Sequence, residues 1–324
     1  KRLKKEGKTI ILITHKLNEV MAVSDRVTVM RKGKVIGTRT TSNTTPQELA
    51  EMMVGRKIVL KVEKDEKEKG KEIIRIEHLM VRNPKKNIDI VKDVSFYIKQ
   101  GEIVGIAGVA GNGQTELVEA ISGLRKIDSG HVYLNNREIT DKTPYEIRME
   151  GLAHIPEDRK GMGLIMEFTV GENIVIGRHT RLPFAKGIVM QKKVIRERAK
   201  NLGEKFDIRP NSPNLKVKFL SGGNQQKVII AREFDYDPVF LLASQPTRGL
   251  DVGAIEYVYK YLLKARDENK GVLLISMELE EVLSLSDRIL VMYNGEIVGE
   301  FNEPEKFDIQ LIGRLMLQGR EGIN

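Results

Sequence analysis

The sequence predicts an α/β protein with two domains, of which only the second is expected to be complete. Three observations lead there: a segment that occurs twice, a glycine-rich turn between an apolar strand and a helix, and a length of 324 residues. Chains of this length usually fold as about two domains. Strands that alternate with loops and helices are typical of α/β folds.

The repeat pairs residues 10–37 with residues 272–299, and 12 of the 28 paired residues are identical. Both copies have the pattern of a buried apolar strand, an amphipathic helix and two short strands around a Lys-Gly or Asn-Gly turn. A segment that closes one domain at 299 should close another at 37. The repeat therefore predicts two domains of about 260 residues.

The first of these domains is expected to be a remnant, because its closing segment lies near the amino end and the chain starts at Lys1 without methionine. We assign residues 1–60 to this carboxyl-terminal remnant. The charge run at 61–71 is interpreted as a solvated linker. Residues 72–324 are assigned to the second domain.

Composition and charge exclude several classes of protein. The net charge is +9. Most of this excess lies in the first 70 residues, which hold 17 basic and 9 acidic side chains, and the rest of the chain is nearly neutral. This distribution does not predict nucleic-acid binding. Cysteine is absent, which excludes disulfides and Cys-ligated metal sites. No apolar run approaches the roughly 18 residues of a membrane span, and no charged-then-apolar leader opens the chain, so a cytosolic globular protein is expected.

The glycine-rich turn has the context of a phosphate-binding loop. The apolar run 103–108 leads into Gly-Val-Ala-Gly-Asn-Gly-Gln-Thr at 108–115, and helical periodicity follows. Glycines let backbone N–H groups approach phosphates, and a helix amino terminus adds partial positive charge. The loop fits GxxGxGK[ST] except that Gln114 takes the lysine position, so an ordinary βα turn is the alternative interpretation.

The most specific run is Leu-Ser-Gly-Gly-Asn-Gln-Gln-Lys at 220–227, which precedes a helical sequence and offers a second anion-binding helix end. This run resembles the signature of ABC-transporter ATPases. The loop at 108–115 is similar to their Walker A motif, residues 240–247 resemble Walker B and residues 248–251 resemble the D-loop. Met277 stands in the region of their switch histidine. Order and spacing agree over the whole chain.

Within that family, the chain is similar to the tandem ATPases of bacterial sugar and nucleoside importers, which carry Ile-Pro-Glu-Asp-Arg, here 155–159, in place of the usual glutamine loop. Several runs, SQPTRGLDVGAIEYV among them, look most like the nucleoside branch linked to basic membrane lipoproteins. The ribose/galactose branch is the alternative. The resemblance implies the P-loop NTPase fold of an ABC nucleotide-binding domain, a mixed-sheet core with a helical subdomain at about 155–235.

The second domain departs from the family pattern at four chemical positions. Gln114 replaces the phosphate-binding lysine, and Ser244 replaces the aspartate that orients Mg²⁺. Gln245 replaces the glutamate that polarises the attacking water, and Met277 replaces the switch histidine. Loss of a general base alone lowers a rate by about 10²–10⁴-fold. We therefore expect little or no turnover by this chain alone, although the glycines and Thr115 should still allow weak nucleotide binding.

The signature is undamaged, and in the family's head-to-tail sandwich it closes on the Walker A motif of the other domain. The resemblance thus implies one working and one degenerate site, with His15 as the switch histidine of the working one. The residues that it assigns to binding ATP are Gly108, Gly111, Asn112, Gly113, Gln114, Thr115, Glu116, Glu157, Ser221, Gly222, Gly223, Gln225, Ser244 and Asp251. Thr115 is also a weak candidate ligand for Mg²⁺.

The partners that the resemblance implies are integral-membrane permease subunits, a substrate-binding lipoprotein indirectly, and the first nucleotide-binding domain or a second copy. It places the protein at the cytoplasmic face of the plasma membrane. Glu157 and the residues after it would form the permease groove, whereas the basic charges within 178–218 are interpreted as a solvated helix face. A soluble ABC protein that acts on ribosomes or DNA is the alternative, disfavoured by the short linker and the single degenerate site.

Overall fold

The computed structural model describes residues 1–14, 16–31, 33–56, 64–65, 67–83 and 87–323. They fold into two compact units. Unit 1 consists of residues 1–62 together with 249–257, and unit 2 consists of residues 63–248 together with 258–324.

Unit 1 is a small assembly of helices around a hairpin. Its elements are α1 (Arg2–Lys5), α2 (Leu17–Val23), β1 (Arg26–Arg31), β2 (Lys34–Thr40) and α3 (Pro46–Val54). β1 and β2 pair antiparallel. Val20, Val29 and Leu49 are buried together and join α2, β1 and α3. The hydroxyl of Thr45 caps α3 by accepting a hydrogen bond from the backbone N–H of Glu48.

Unit 2 is built on two large sheets and the separate two-stranded hairpin β9–β10. Its strands are β3 (Glu72–Asn83), β4 (Ile88–Lys99), β5 (Ile103–Ala107), β6 (Ser129–Leu134), β7 (Arg137–Glu138), β8 (Leu152–Ile155), β9 (Ala185–Lys186), β10 (Val189–Met190), β11 (Phe240–Ser244), β12 (Gly271–Ser276), β13 (Arg288–Tyr293) and β14 (Glu296–Phe301). One sheet has the order β14-β13-β5-β12-β11-β8, and the other has the order β4-β3-β6-β7. In the six-stranded sheet only β14 pairs antiparallel. The expected mixed sheet is therefore confirmed.

The helices complete the expected fold. They are α4 (Gln114–Ile121), α5 (Pro144–Met149), α6 (Val170–Val175), α7 (Lys192–Lys205), α8 (Gly222–Phe234), α9 (Val252–Asp267), α10 (Leu279–Leu285) and α11 (Ile309–Gln318). α6 packs on α7 and α8, and these three lie within the range 155–235 expected for a helical subdomain. No helix in the described part of the chain is long and apolar enough to cross a membrane.

The core of unit 2 covers both faces of the six-stranded sheet. Between the two sheets, apolar side chains such as Ile106, Leu242 and Leu273 pack with α4. On the opposite face, α10 and α11 pack on β5 and β13. α10 approaches so closely that a Cβ on Gly105 of β5 would overlap the Ser286 hydroxyl. The sheet that positions the glycine-rich loop is thus clamped from both sides.

The two copies of the repeat share a hairpin geometry. In β1–β2, Val29 pairs with Gly37, Met30 pairs with Val35, and a bulge separates the two pairs. In β13–β14 the corresponding pairs are Val291 with Gly299 and Met292 with Ile297, with the bulge at the same place. The repeat seen in the sequence is therefore also a structural repeat.

The prediction of a buried strand at the start of the first copy is wrong. Ile11 and Ile13 are 88% and 95% exposed, and residues 8–14 have no regular structure. The same segment in the second copy is β12, which lies between β5 and β11. A parallel strand of this kind depends on hydrogen bonds to neighbouring strands. The described residues of unit 1 offer only the hairpin β1–β2.

The turn between β13 and β14 gives a test of this packing. Gly295 has φ +86°, and a Cβ there would overlap the carbonyl oxygen of Ile90. Gly187, between β9 and β10, also has a left-handed φ of +61° but has no atom within 4 Å of the corresponding position. Both glycine-to-alanine changes carry the backbone penalty of roughly 1 kcal/mol. We expect Gly295→Ala to lower the free energy of unfolding by about 1–3 kcal/mol more than Gly187→Ala.

Urea unfolding of the two variants measures this difference. Equal losses of stability would contradict the close approach of the turn to β4.

Candidate functional site

Three parallel strands end at one edge of the six-stranded sheet and bring the expected site residues together. In the pairing of β5 with β12, Ala107 lies opposite Ser276, and in the pairing of β11 with β12, Ser244 lies opposite Ile275. The residues that follow these strand ends are Gly108, Gln245 and Met277. The sequence separates these residues by up to 169 positions, and the parallel register places them side by side.

The glycine-rich loop runs from β5 into α4 as predicted. Gly113 takes the N-cap position of α4 with φ +98°, and Gly111 has φ +90°. A Cβ on Gly113 would lie 2.8 Å from the carbonyl oxygen of Ile90. Glycine is therefore required at 113 both by the left-handed backbone and by the approach of β4. The loop points the amino end of α4 toward the strand edge, which is the geometry of an anion-binding turn.

The side chain of Gln114 fills the inside of this loop. It is 8% exposed, and its Nε2 donates a hydrogen bond of 3.1 Å to the carbonyl oxygen of Val109. A Cβ on Gly108 would overlap the same Nε2 atom. The amide thus holds the loop from within, and it carries no charge that could neutralise a phosphate.

The loop is also attached to the hairpin β13–β14. Asn112 accepts hydrogen bonds of 3.0 Å from the backbone N–H of Asn294, at Oδ1, and from that of Gly295, at its carbonyl oxygen. Gly295 in turn accepts a bond of 2.8 Å from the N–H of Lys92. Asn294 and Gly295 both have positive φ, as the two residues of a type I′ hairpin turn do. Asn112 therefore serves as an attachment point for the loop.

Gln245 and Met277, which the sequence predicts to stand at two degenerate catalytic positions, contact each other. The side-chain oxygen of Gln245 accepts a hydrogen bond of 3.3 Å from the backbone N–H of Met277. Gln245 is 8% exposed and has a left-handed φ of +47°. Its amide orients the loop after β12 but cannot accept a proton from water as a general base does. The thioether of Met277, which is 43% exposed, offers no acid or base either.

Glu281 is a buried carboxyl group beside these positions that the sequence interpretation missed. It is 2% exposed. Burial raises its pKa to about 7, against the smaller lowering effect of the Ser276 and Thr247 hydroxyls. The repeat could have drawn attention to this residue, because Glu281 aligns with Glu19 in the first copy. Glu19 accepts a hydrogen bond of 2.9 Å from the Thr14 hydroxyl. Thr14 corresponds to Ser276 in the same alignment.

The oxygen atoms at this edge do not fit Mg²⁺. Thr115 is exposed at the start of α4 and Ser244 is 4% exposed at the end of β11. Both offer neutral hydroxyls, whereas protein sites for Mg²⁺ normally include a carboxylate. Glu116, which follows Thr115, lies on the first turn of α4. No group of three or more His, Cys, Asp or Glu side chains with metal-binding geometry exists among the residues that the structure describes.

The signature run begins α8, as expected. Ser221 is the N-cap, and its hydroxyl accepts hydrogen bonds from the backbone N–H of Asn224, at 3.4 Å, and from its Nδ2, at 3.0 Å. Ser221 is exposed, and Gly222 and Gly223 form the half-buried first turn. A helix end that is accessible and free of bulky side chains can receive an anion from outside the domain.

The buried side chain of Gln225 stabilises this turn. It is 3% exposed, and its Nε2 donates to the carbonyl oxygens of Val217 and Leu220, at 3.1 and 3.2 Å. Its Oε1 accepts a bond of 3.3 Å from Nε of Arg159. In this structure the side chain is used to hold the loop before α8, so its assignment to the nucleotide stays a prediction.

Glu157 and Asp251 make local contacts. Glu157 forms an ion pair with Arg248, which joins the segment after β8 to the segment after β11. Asp251 is exposed within the part of the chain that belongs to unit 1, and its Oδ1 caps α9 by accepting a bond of 2.9 Å from the N–H of Ala254. His15, the predicted switch histidine, lies outside the described residues.

A cavity of about 370 Å³ lies at the amino ends of β8 and β11, where Gly151, Leu152 and Pro238 line it. The ring of Tyr236 lies between two guanidinium groups there, 3.9 Å from that of Arg148 and 4.2 Å from that of Arg178. The glycine-rich loop follows the carboxyl end of β5, at the opposite edge of the sheet. The cavity is therefore separate from the loop.

Comparison with known protein families gives a match in the centre of unit 2. The model of the ABC transporter family matches residues 91–248. This range contains the glycine-rich loop, the signature run and β11.

Three relatives are import proteins. The chain is 48% identical to a nucleoside import ATP-binding protein of Lactococcus lactis over 98% of the chain and 63% of that protein. It is 48% identical to a guanosine import ATP-binding protein of Bacillus subtilis, over 98% and 62%. A glucose import ATP-binding protein of Haloferax volcanii is 42% identical, over 98% and 58%. The chain thus spans about three fifths of the length of these relatives.

Among solved structures, the chain resembles a nucleotide-free ATP-binding cassette from an ABC transporter. The TM-score is 0.64 with 26% identity, over 78% of this chain and 98% of that one. The fold of unit 2 is that of an ABC nucleotide-binding domain.

The side chain inside the glycine-rich loop leads to a prediction for nucleotide affinity. We expect Gln114→Lys to bind ATP about ten- to a hundredfold more tightly than the unaltered chain, because a hydrogen bond from a cation to phosphate contributes about 1.5–3 kcal/mol. Titration with a fluorescent ATP analogue measures the affinity. Gln114→Met, of similar size and without charge, is the control, and equal affinity of the two variants would contradict the expectation.

Glu281 leads to a prediction for stability against pH. Its folded pKa of about 7 is above the ordinary value of 4.5, so the folded state holds the proton in the window between these values. The free energy of unfolding therefore falls as pH rises through this window, by up to about 3 kcal/mol from this group. We expect Glu281→Gln to remove that part of the pH dependence.

Urea unfolding at pH 5 and pH 8 gives the comparison. Glu280→Gln, on the exposed side of the same helix, is the control and should leave the pH dependence as it is. His154, whose pKa is lowered to about 4 by desolvation, contributes equally in all three proteins and cancels. Identical pH dependence in Glu281→Gln and the unaltered chain would disprove the buried titration.

Proposed function

We propose, from the premise that this chain contains an ABC-transporter ATPase domain of the sugar and nucleoside import type, that it belongs to the ATP-binding subunit of a nucleoside importer. The observation that carries the proposal is an asymmetry within unit 2. The signature at the start of α8 is accessible and complete, whereas the nucleotide edge has lost its charged groups. Two relatives, both 48% identical to the chain, are named for nucleoside or guanosine import.

The domain contributes its signature rather than its own nucleotide loop. Ser221 caps α8 and is exposed, so its hydroxyl and the N–H groups of the first turn can meet a γ-phosphate held by another cassette. That cassette is either the first nucleotide-binding domain or a second copy of the protein. Binding of ATP would clamp the two cassettes together, and hydrolysis would release them.

The nucleotide edge of this domain binds ATP weakly and hydrolyses it little or not at all. Gln245 is held by the backbone of Met277 and supplies no base, and Gln114 occupies the loop interior. Neutral hydroxyls at Thr115 and Ser244 leave Mg²⁺ without a carboxylate. The chain by itself should therefore show little or no ATP turnover.

The motion of the cassettes is passed to permease subunits in the membrane, and a substrate-binding lipoprotein delivers the nucleoside to them. The protein works at the cytoplasmic face of the plasma membrane. The segment that begins at Glu157 is a suitable contact for the permease, because the Glu157–Arg248 ion pair joins it to the segment after β11. A sugar importer is the second candidate, since a glucose import protein is 42% identical over 98% of the chain.

If the domain contributes its signature but not its own nucleotide loop, two substitutions in a full-length protein should differ in their effect on ATP turnover. Ser221→Arg puts a long charged side chain where the signature receives phosphate, and ATP turnover with the permease should fall to background. Gln114→Ala is the matched change in the degenerate loop and should lower turnover by less than twofold. The rate of phosphate release measures both, and loss of turnover in Gln114→Ala would show that the degenerate edge is needed for hydrolysis.

A further inference from the structure

The hairpin β9–β10 exposes an apolar tip. Ile188 is 101% exposed, Leu182 is 78% exposed, and Val189 and Met190 are 61% and 41% exposed. All four lie within nine consecutive residues. Contiguous apolar side chains of this kind are rare on a surface that meets only water, and they mark sites of contact with a partner or a membrane.

The tip is held in place by its base. Phe184 and Ala185 are 3% and 4% exposed, and Gln191 donates a backbone hydrogen bond of 2.8 Å to the carbonyl oxygen of Phe184. The Arg178 guanidinium lies 5.1 Å from the centre of the Phe184 ring. Gly187 forms the turn with φ +61° and presents Ile188 at its end. The apolar side chains therefore project from a fixed support.

The surroundings of the tip are basic. The segment from Asn173 to Arg196 contains six Lys or Arg residues and no Asp or Glu. Lys186, Lys193 and Arg196 are exposed and have no ion-pair partner among the residues that the structure describes. Arg181 is exposed and stacks on Tyr145 at 5.1 Å. Two of the six are paired: Arg178 forms an ion pair with Asp235, and the charge of Lys192 acts on Glu172.

We propose that this hairpin, residues 181–193, docks directly on an anionic lipid bilayer. Ile188 and its apolar neighbours enter the interface between headgroups and acyl chains, and the lysines and arginines around them contact the lipid phosphates. An apolar face flanked by Lys and Arg is the pattern of interfacial membrane binding. The contact orients the domain independently of any permease, so it goes beyond the proposed function.

Charge complementarity favours a lipid surface over other partners. A nucleic acid would match the lysines but would gain nothing from an apolar tip made of Ile188 and Val189. A protein partner would have to offer an apolar recess with an acidic rim. The tip itself is a single turn and has no acidic groups that would fix the orientation of such a partner. A bilayer with anionic lipids satisfies both parts of the surface at once.

The test is flotation of the full chain with lipid vesicles in the absence of permease. The vesicles are either pure phosphatidylcholine or an equal mixture of phosphatidylcholine and phosphatidylglycerol. We expect the chain to float with the mixed vesicles only. Binding should weaken as salt rises, because the screening length falls from about 10 Å at 0.1 M to about 3 Å at 1 M.

Two hairpin variants separate the parts of the surface. Lys186→Glu with Lys193→Glu reverses two charges and should reduce binding at least about 25-fold, since each basic group contributes about fivefold. Ile188→Ser with Val189→Ser should reduce binding at least about tenfold while the salt dependence remains. Both pairs lie on an exposed surface and should keep the thermal unfolding temperature of the unaltered chain.

Matched controls are changes at exposed positions elsewhere in unit 2. Lys260→Glu on α9 and Leu317→Ser on α11, where Leu317 is 65% exposed, should change binding by less than the hairpin variants. If the controls weaken binding equally, general charge rather than the hairpin is responsible and the proposal fails. It also fails if the unaltered chain does not bind the mixed vesicles, or if it binds neutral vesicles as well.

A further outcome assigns the hairpin to a protein partner instead. If the hairpin variants bind vesicles normally but no longer assemble with purified permease, the surface is a protein-docking site and the lipid proposal is overturned. The proposed ATPase role does not depend on this result, because it is tested by turnover in Ser221→Arg and Gln114→Ala.

Discussion

The parallel register of β5, β12 and β11 is the constraint on which the site depends. Strands that pair in parallel end at the same edge, so the chain segments that leave them must meet there. The three strands end within one residue of one another, because Ala107 lies opposite Ser276 and Ser244 lies opposite Ile275. A shift by one residue would exchange the two faces of a strand, so that its buried side chains would meet the wrong layer of the core. The glycine-rich loop, Gln245 and Met277 owe their proximity to this register.

The uncharged side chains at this strand edge form an electrostatically consistent set. A lysine without its carboxylates, or carboxylates without the lysine, would leave a charge at a buried edge at considerable cost. Here the positions that the sequence resemblance assigns to lysine, aspartate, glutamate and histidine hold Gln114, Ser244, Gln245 and Met277, all uncharged. Glu281 remains as a buried carboxyl, and burial keeps it largely protonated up to a pH near 7. The edge is thus stable without a ligand to balance it.

Much of this fold could be predicted from the sequence, because its elements have local signals. The strand before the glycine-rich loop, the helix after Ser221 and the hairpin of the second repeat copy follow from apolar periodicity, capping and turn residues. Residues 10–14 have the same apolar pattern as β12 but form no strand, since strand formation depends on neighbours that a local pattern does not contain. Glu281 was missed for a related reason: its burial comes from the packing of α10 on β5, which brings together residues far apart in the chain.

The bulge shared by the two hairpins has a consequence for how this repeat could diverge. An extra residue in one strand changes which side chains face inward beyond it, and the bulge absorbs that change at one place. Both copies keep it between corresponding residues, Val29 and Met30 in one and Val291 and Met292 in the other. The aligned segments have meanwhile come to differ at more than half of their positions. The two copies of the hairpin therefore differ in many side chains but keep the extra residue of the bulge at the same place.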